Sequence, residues 1–202
     1  WANEAWARRW EGGHDVILQP QPHEPTVEKW EQHVQYLLPF WRDPRAICVD
    51  GKPVFCIYRP HLIPKLPQML AYFRTRAAEE GLPGLHLVAT KAFAFKSSRL
   101  LEGFDAVQLF QPGETINSRR WNGTLRFAAN AALHKLPEGL LEKLRAIHTK
   151  AATGPRIFDY EKVCAAIVEN RETAPLPTYD MAFLEWDNTA RYHEKSTLFL
   201  GC

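Results

Sequence analysis

Apolar and polar positions along this chain switch between two rhythms, and the switches delimit its elements. Val27, Trp30, Val34, Leu37 and Leu38 recur at the three-to-four-residue spacing of one helix face, with Thr26 placed to cap it and Pro39 near the stop. Ile47-Cys48-Val49, an Asp50-Gly51 turn and the unbroken run Pro53-Val54-Phe55-Cys56-Ile57-Tyr58 follow. A run that is apolar at every position predicts a strand buried on both faces, as in a parallel sheet. A second helix is predicted over 66–80, closed by Gly81-Leu82-Pro83-Gly84, and then a strand over 85–90. A short helical turn near 98–101 leads to a strand over 104–110. Residues 114–150 do not fit a short loop; Leu140, Leu141, Leu144 and Ile147 give 137–148 a helical pattern, so an insertion over the site is expected. A helix over 160–170, a strand over 180–186 and a last element from residue 195 complete the order. Gly12-Gly13 with Pro20, Pro22 and Pro25 predicts a loop before the first helix.

Strands alternating with helices predict a parallel α/β protein. A doubly wound sheet normally carries a glycine-rich phosphate loop, and the chain has neither GxGxxG nor GxxxxGK[ST], which weighs against that architecture; no cofactor is expected. In a (β/α)8 barrel the chemistry gathers where strands end. Glu4, Arg59, Lys91, Gln111 and Asp187 each follow an apolar run or open the chain. A complete barrel takes about 250 residues. This chain has 202, with four full strands and a remnant at Trp1 to Glu4. The expectation is a single domain over 1–202, the C-terminal portion of a TIM barrel of glycosidase type with its N-terminal strands missing and an insertion at about 114–150.

Composition narrows the partners. The net charge of +2, from 25 basic and 23 acidic residues, is too balanced for a nucleic-acid groove or an anionic membrane. No apolar run approaches the roughly 18 residues that span a bilayer. Cys48, Cys56, Cys164 and Cys202 show no ligand spacing, a pattern that fits a reducing, cytoplasmic setting. The eight histidines are scattered, so no metal is expected; His14 and His23 read as solvated loop residues and His86 as a hydrogen-bonded structural one. The chain opens at Trp1, in the middle of a motif, so preceding sequence is expected.

Seven tryptophans call for a reason, and three of them, Trp1, Trp6 and Trp10, crowd the first twelve residues with Asn3, Glu4, Arg8 and Arg9. Aromatic platforms beside hydrogen-bonding carboxylates suit a sugar ring. A similar cluster, Trp186-Asp187-Asn188, lies near the other end. Glycosidic-bond chemistry uses two carboxyl groups, about 5 Å apart for retention and about 6.5–9.5 Å for inversion. Glu4 and Asp187 are the candidate catalytic pair. Asn3 and Asn188 are placed to bond sugar hydroxyls, and Trp1, Trp6, Trp10 and Trp186 to stack on sugar faces. Arg8, Arg9 and Arg59 are placed to bind an acidic group or to hold the carboxylates. The competing reading is a non-catalytic glycan-binding module on a barrel scaffold.

The chain resembles the WbsX-type proteins of bacterial polysaccharide gene clusters, also described as glycoside-hydrolase-family-99-like. The likeness lies in Trp1-Ala2-Asn3-Glu4, Arg8-Arg9-Trp10, Tyr36-Leu37-Leu38-Pro39, Asp43-Pro44-Arg45, Asp50-Gly51-Lys52-Pro53-Val54, Tyr58-Arg59-Pro60, Gly81-Leu82-Pro83-Gly84, Asp159-Tyr160 and Trp186-Asp187-Asn188-Thr189. The resemblance implies a glycosidase-type barrel acting on O-antigen or capsular glycans, as transferase or hydrolase, with an oligosaccharide or polysaccharide substrate. It also implies a carboxylate general acid/base, for which Glu4 has a counterpart by position. The chain departs from the family pattern at Ala7, where Thr is expected, and at Glu185, where Gly is expected before Trp186.

Overall fold

The computed structural model describes residues 1–8, 13–91, 101–118, 121, 154–169, 175–184 and 186–201. The chain divides into two compact units, Trp1–Arg8, His14–Phe110 and Thr173–Met181 in the first, and Arg9–Gly13, Gln111–Glu172 and Ala182–Cys202 in the second. The helix expected over 137–148, and with it most of the expected insertion, lies outside the described residues.

The first unit opens with β1 (Trp6–Arg8) and β2 (Gly13–Gln19), which form a two-stranded sheet. This replaces the expected loop: Val16, Ile17 and Leu18 outweigh the flanking glycines in the local preference for extended backbone. α1 (Val27–Trp41) begins at Thr26, whose hydroxyl accepts from the Lys29 amide. It runs through Pro39 rather than stopping there, because buried Trp41 packs edge-on against Phe55 and Phe73 and holds the last turn. β3 (Cys48–Val49) and β4 (Lys52–Ile57) make a hairpin. Asp50 and Gly51 both have positive φ, the requirement of a two-residue turn that matches strand twist. α2 (Leu66–Glu79) leads to β5 (His86–Lys91) and β6 (Ala106–Leu109).

The five-stranded sheet has the order β3-β4-β5-β6-β8, with β8 at Thr178–Tyr179. β4, β5, β6 and β8 are parallel, in a register that aligns Ile57, Ala89, Val107 and Thr178 across the strands. Side chains alternate across a strand, so each strand serves two layers. Phe55, Ile57, Leu87 and Ala89 join Val34, Leu38 and Trp41 of α1 and Leu70, Phe73 and Ala77 of α2 in one core cluster. The Val, Leu, Ile and Phe side chains among them each contribute about 1.5–3 kcal/mol by leaving water. Val54, Cys56, Tyr58, His86, Val88, Thr90, Ala106 and Gln108 fall on the opposite face by the same alternation. Outside the core, Arg76 of α2 clasps Glu31 of α1 through Nε at 2.8 Å, and Tyr72 donates to the same carboxylate.

In the second unit, β7 (Arg156–Asp159) pairs in parallel with β9 (Thr197–Leu200). Also described here are α3 (Gly113–Ile116), α4 (Tyr160–Glu169) and α5 (Thr189–Tyr192). Ile116, Val163 and Phe199 form the centre, with Phe158, Tyr160, Phe183 and Trp121 packed on it. Among the described residues of 180–186, the expected strand is not seen. Leu184 and Trp186 are 82% and 54% exposed, so little burial rewards an extended apolar run there.

Two buffered groups set the acid response. His33 is pushed down to about 4, chiefly by burial, with the charge of His23 adding to it. Glu31 is pulled down to about 2 by the hydrogen bonds from Arg76, Gln35 and Tyr72. In both cases the unfolded chain binds the proton first, so stability is lost as pH falls. The melting temperature should therefore drop from pH 7 towards pH 3 in a circular-dichroism series. His33→Gln should flatten its upper part, between about 6.5 and 4, and Glu31→Gln its lower part, below about 4.5.

Candidate active site

The site is assembled where the first residues of the chain meet the end of β4. The Trp1 nitrogen donates to the Cys56 carbonyl at 2.6 Å, and the Tyr58 amide donates to the Trp1 carbonyl at 3.1 Å. Two bonds straddling Ile57 in this way are the pattern of a parallel bridge, so Trp1 extends the parallel sheet on the side of β4 away from β5. Its indole turns to the helix layer, edge-on to His33 at 4.5 Å and to His23 at 5.4 Å and stacked over Phe55 at 6.5 Å. Asn3 and Glu4 then lie beyond the C-terminal edge of the strands, where parallel α/β sheets carry their chemistry.

Asn3 is fully buried. Its Nδ2 donates to the Arg59 carbonyl at 2.9 Å, and its Oδ1 accepts from the Arg59 amide at 2.7 Å. One side chain thus satisfies both polar groups of the first residues past β4 and fixes where Arg59 starts. His23 bonds the Asn3 carbonyl at 2.9 Å, so it is a structural partner of the site and not a solvated loop residue.

From that anchored backbone the Arg59 side chain reaches Glu4, with Nε 3.0 Å from Oε2. Both side chains are about one-quarter exposed, at 24% and 23%. The contact is a charge pair without hydrogen-bond geometry, and the buried Arg59 Nε has no hydrogen-bond partner among the described residues. The guanidinium also lies over the Tyr58 ring, 5.2 Å from its centroid. His61 is held below the ordinary histidine value by burial first and by Arg59 second, while Glu4 pulls the other way. Both charges therefore act on this imidazole.

The other expected residues fall as follows. Trp6 is 60% exposed on β1, and Arg8 is exposed on the same strand. Arg9 and Trp10 lie outside the described residues. In the second unit, exposed Asp187 accepts from the Thr189 amide at 2.7 Å, and bonds from Thr189 hold its carboxyl below the usual range. Asn188 accepts from the Thr197 amide at 2.6 Å, and Trp186 accepts from the Phe199 amide through its carbonyl. A cavity of about 260 Å³ lies against Trp1, His23, Trp30, His33 and Met69, and neither Glu4 nor Arg59 lines it. Among the described residues no group of three or more His, Cys, Asp or Glu is gathered to hold a metal ion.

The whole chain, residues 1–202, matches the family described as Glycosyltransferase WbsX. The chain belongs to that family. Two relatives carry the name uncharacterized protein WxcX. One, from Xanthomonas campestris pv. campestris strain B100, is 27% identical over 201 residues, 99% of this chain and 25% of the relative. The other, from a second strain of that pathovar, is 35% identical over 113 residues, 55% of this chain and 16% of the relative. The chain thus spans about a quarter, or less, of the length of the relatives it matches. No solved structure matches the chain. Membership of the WbsX family points to a carbohydrate-active role, and among the described residues no helix is long and apolar enough to cross a membrane.

The Asn3 contacts give a direct test of the anchor. Asn3→Leu removes both partners of the Arg59 peptide and should destabilise the protein by about 1–3 kcal/mol, read as a lower urea midpoint at unchanged slope.

Proposed function

We propose that this chain is the C-terminal part of a (β/α)8 barrel that makes or breaks glycosidic bonds of a bacterial surface polysaccharide, an O-antigen or a capsule, in the cytoplasm. The observation that carries the reading is the placement of Glu4 at the C-terminal edge of a parallel sheet, aimed by an arginine whose own backbone is locked by buried Asn3. Membership of the WbsX family supports the substrate class. The four parallel strands and the parallel bridge at Trp1 support the barrel.

In this reading Glu4 is the general acid/base. Arg59 orients Glu4, and exposed Trp6 offers a contact to the glycan. Glu4→Gln in the full-length protein should lower kcat by about 10²- to 10⁴-fold while glycan affinity stays within about twofold. Unchanged turnover would overturn the assignment.

The exposure of Trp6 favours a second reading, a glycan-binding module without catalysis. It predicts that Trp6→Ala weakens binding to an oligosaccharide in titration calorimetry, while prolonged incubation with the wild-type full-length protein consumes none of it.

A further inference from the structure

Register across the parallel strands defines successive rows of side chains. The row containing Ile57, Ala89, Val107 and Thr178 is followed, one residue further along each strand, by Tyr58, Thr90, Gln108 and Tyr179. Ile57 and Ala89 are in the core with the helices, so by alternation this next row faces away from them. Inward rows of a barrel are normally branched apolar residues. Here the row is Tyr, Thr, Gln and Tyr. Below it on the same face come Cys56, Val88 and Ala106, small or apolar, so the polarity is confined to the row next to the strand ends.

The four members are not equivalent. The Tyr179 hydroxyl turns back along the sheet and pairs with His86 Nε2 at 2.9 Å, which confirms the structural part expected of His86. Thr90 is buried, 4% exposed, and its hydroxyl meets the Gln108 side-chain oxygen at 3.4 Å. Tyr58 and Phe110, on strands separated by β5, meet across it with ring centroids 5.2 Å apart. Both rings and the Gln108 amide are only partly buried. Whichever way the Gln108 amide is turned, one of its ends is left without a partner among the described residues. Arg59 joins this floor to the acid, since its guanidinium touches the Glu4 carboxylate and covers the Tyr58 ring.

We infer that Tyr58, Phe110 and Gln108 form the floor of the glycan site, with the Phe110 ring as platform for one face of a pyranose, the Tyr58 ring, set at 62° to it, as a side wall, and Gln108 as the group that reads a sugar hydroxyl. The inference rests on the proposed glycan chemistry and adds the residues that select the sugar. An apolar ring face over aromatic rings removes C–H surface from water. A site that hydrogen-bonds a substrate hydroxyl rejects an analogue lacking it, because the amide end is then buried unpaired. Thr90 holds Gln108 and acts as its positioning residue.

The test uses full-length Glu4→Gln protein, which binds without turning over, on an array of O-antigen and capsular oligosaccharides with their monodeoxy analogues. Gln108→Leu should weaken binding of the best oligosaccharide about tenfold and remove the preference over one particular monodeoxy analogue. Phe110→Leu should weaken all members of the series by a similar factor without changing that preference. If Gln108→Leu does not fold, Gln108→Asn withdraws the same amide by one methylene and should show the same loss of preference. A parent that binds, with affinity and hydroxyl preference within twofold in these variants, overturns the inference and leaves the glycan function standing. A parent that binds no oligosaccharide on the array overturns the function itself, and the floor with it.

Discussion

The two bonds between the Asn3 amide and the Arg59 peptide are the constraint on which the rest of the edge depends. A peptide group just past a strand end has lost its ladder partner, and if buried it needs another. Asn3 supplies a donor and an acceptor from one planar group, and it is itself fully buried. The consequence is geometric. The backbone at Arg59 cannot rotate without breaking both bonds, so the guanidinium begins from a fixed point and reaches one carboxylate and one ring. His23 closes the arrangement from behind by bonding the Asn3 carbonyl.

β4 shows how one strand serves stability and function at once. Its residues that face the helices, Phe55 and Ile57, are buried among α1 and α2 and hold the sheet to that layer. Cys56 and the adjoining Tyr58 face the other way and are not part of that cluster. Because the side-chain period is two, a shift of one residue would put Tyr58 into the core and Ile57 into the site. The parallel bridge at Trp1 carries the same register into the opening residues, with the indole turned to the helix side. Trp1 is therefore core packing and edge register together, a different part from a sugar platform on the surface.

The two candidate carboxylates differ in how they are held. Glu4 meets a guanidinium at the edge of the parallel sheet, whereas Asp187 accepts from the first residue of a short helix in the other unit. The Asp187 contact is a turn-type bond to the backbone two residues on, the kind that Asp makes readily wherever a short helix begins. The Thr189 side chain first, and that backbone bond second, hold its carboxyl below the usual range, a cause local to 187–189.

Much of the first unit was legible from periodicity. The helix from Thr26 and the strands around Phe55, Leu87 and Val107 follow from local spacing and caps, which the chain carries within a few residues. So do the residues of the Trp1-Ala2-Asn3-Glu4 motif, and with them the family. The pairing of β1 with β2, the strand β7 and the lack of a strand among the described residues of 180–186 were not legible, because a strand exists by virtue of a partner often far along the chain. The same is true of the site. Asn3, Glu4 and Arg59 could each be named from the sequence as polar residues at strand exits. That Asn3 holds the backbone of Arg59, that Arg59 turns to Glu4, and that His23 belongs with them depends on contacts across 20 to 56 residues, which only packing decides. The sequence determined which groups were available at the edge, since composition and period are local. The tertiary structure decided which of them meet, since register between strands is not.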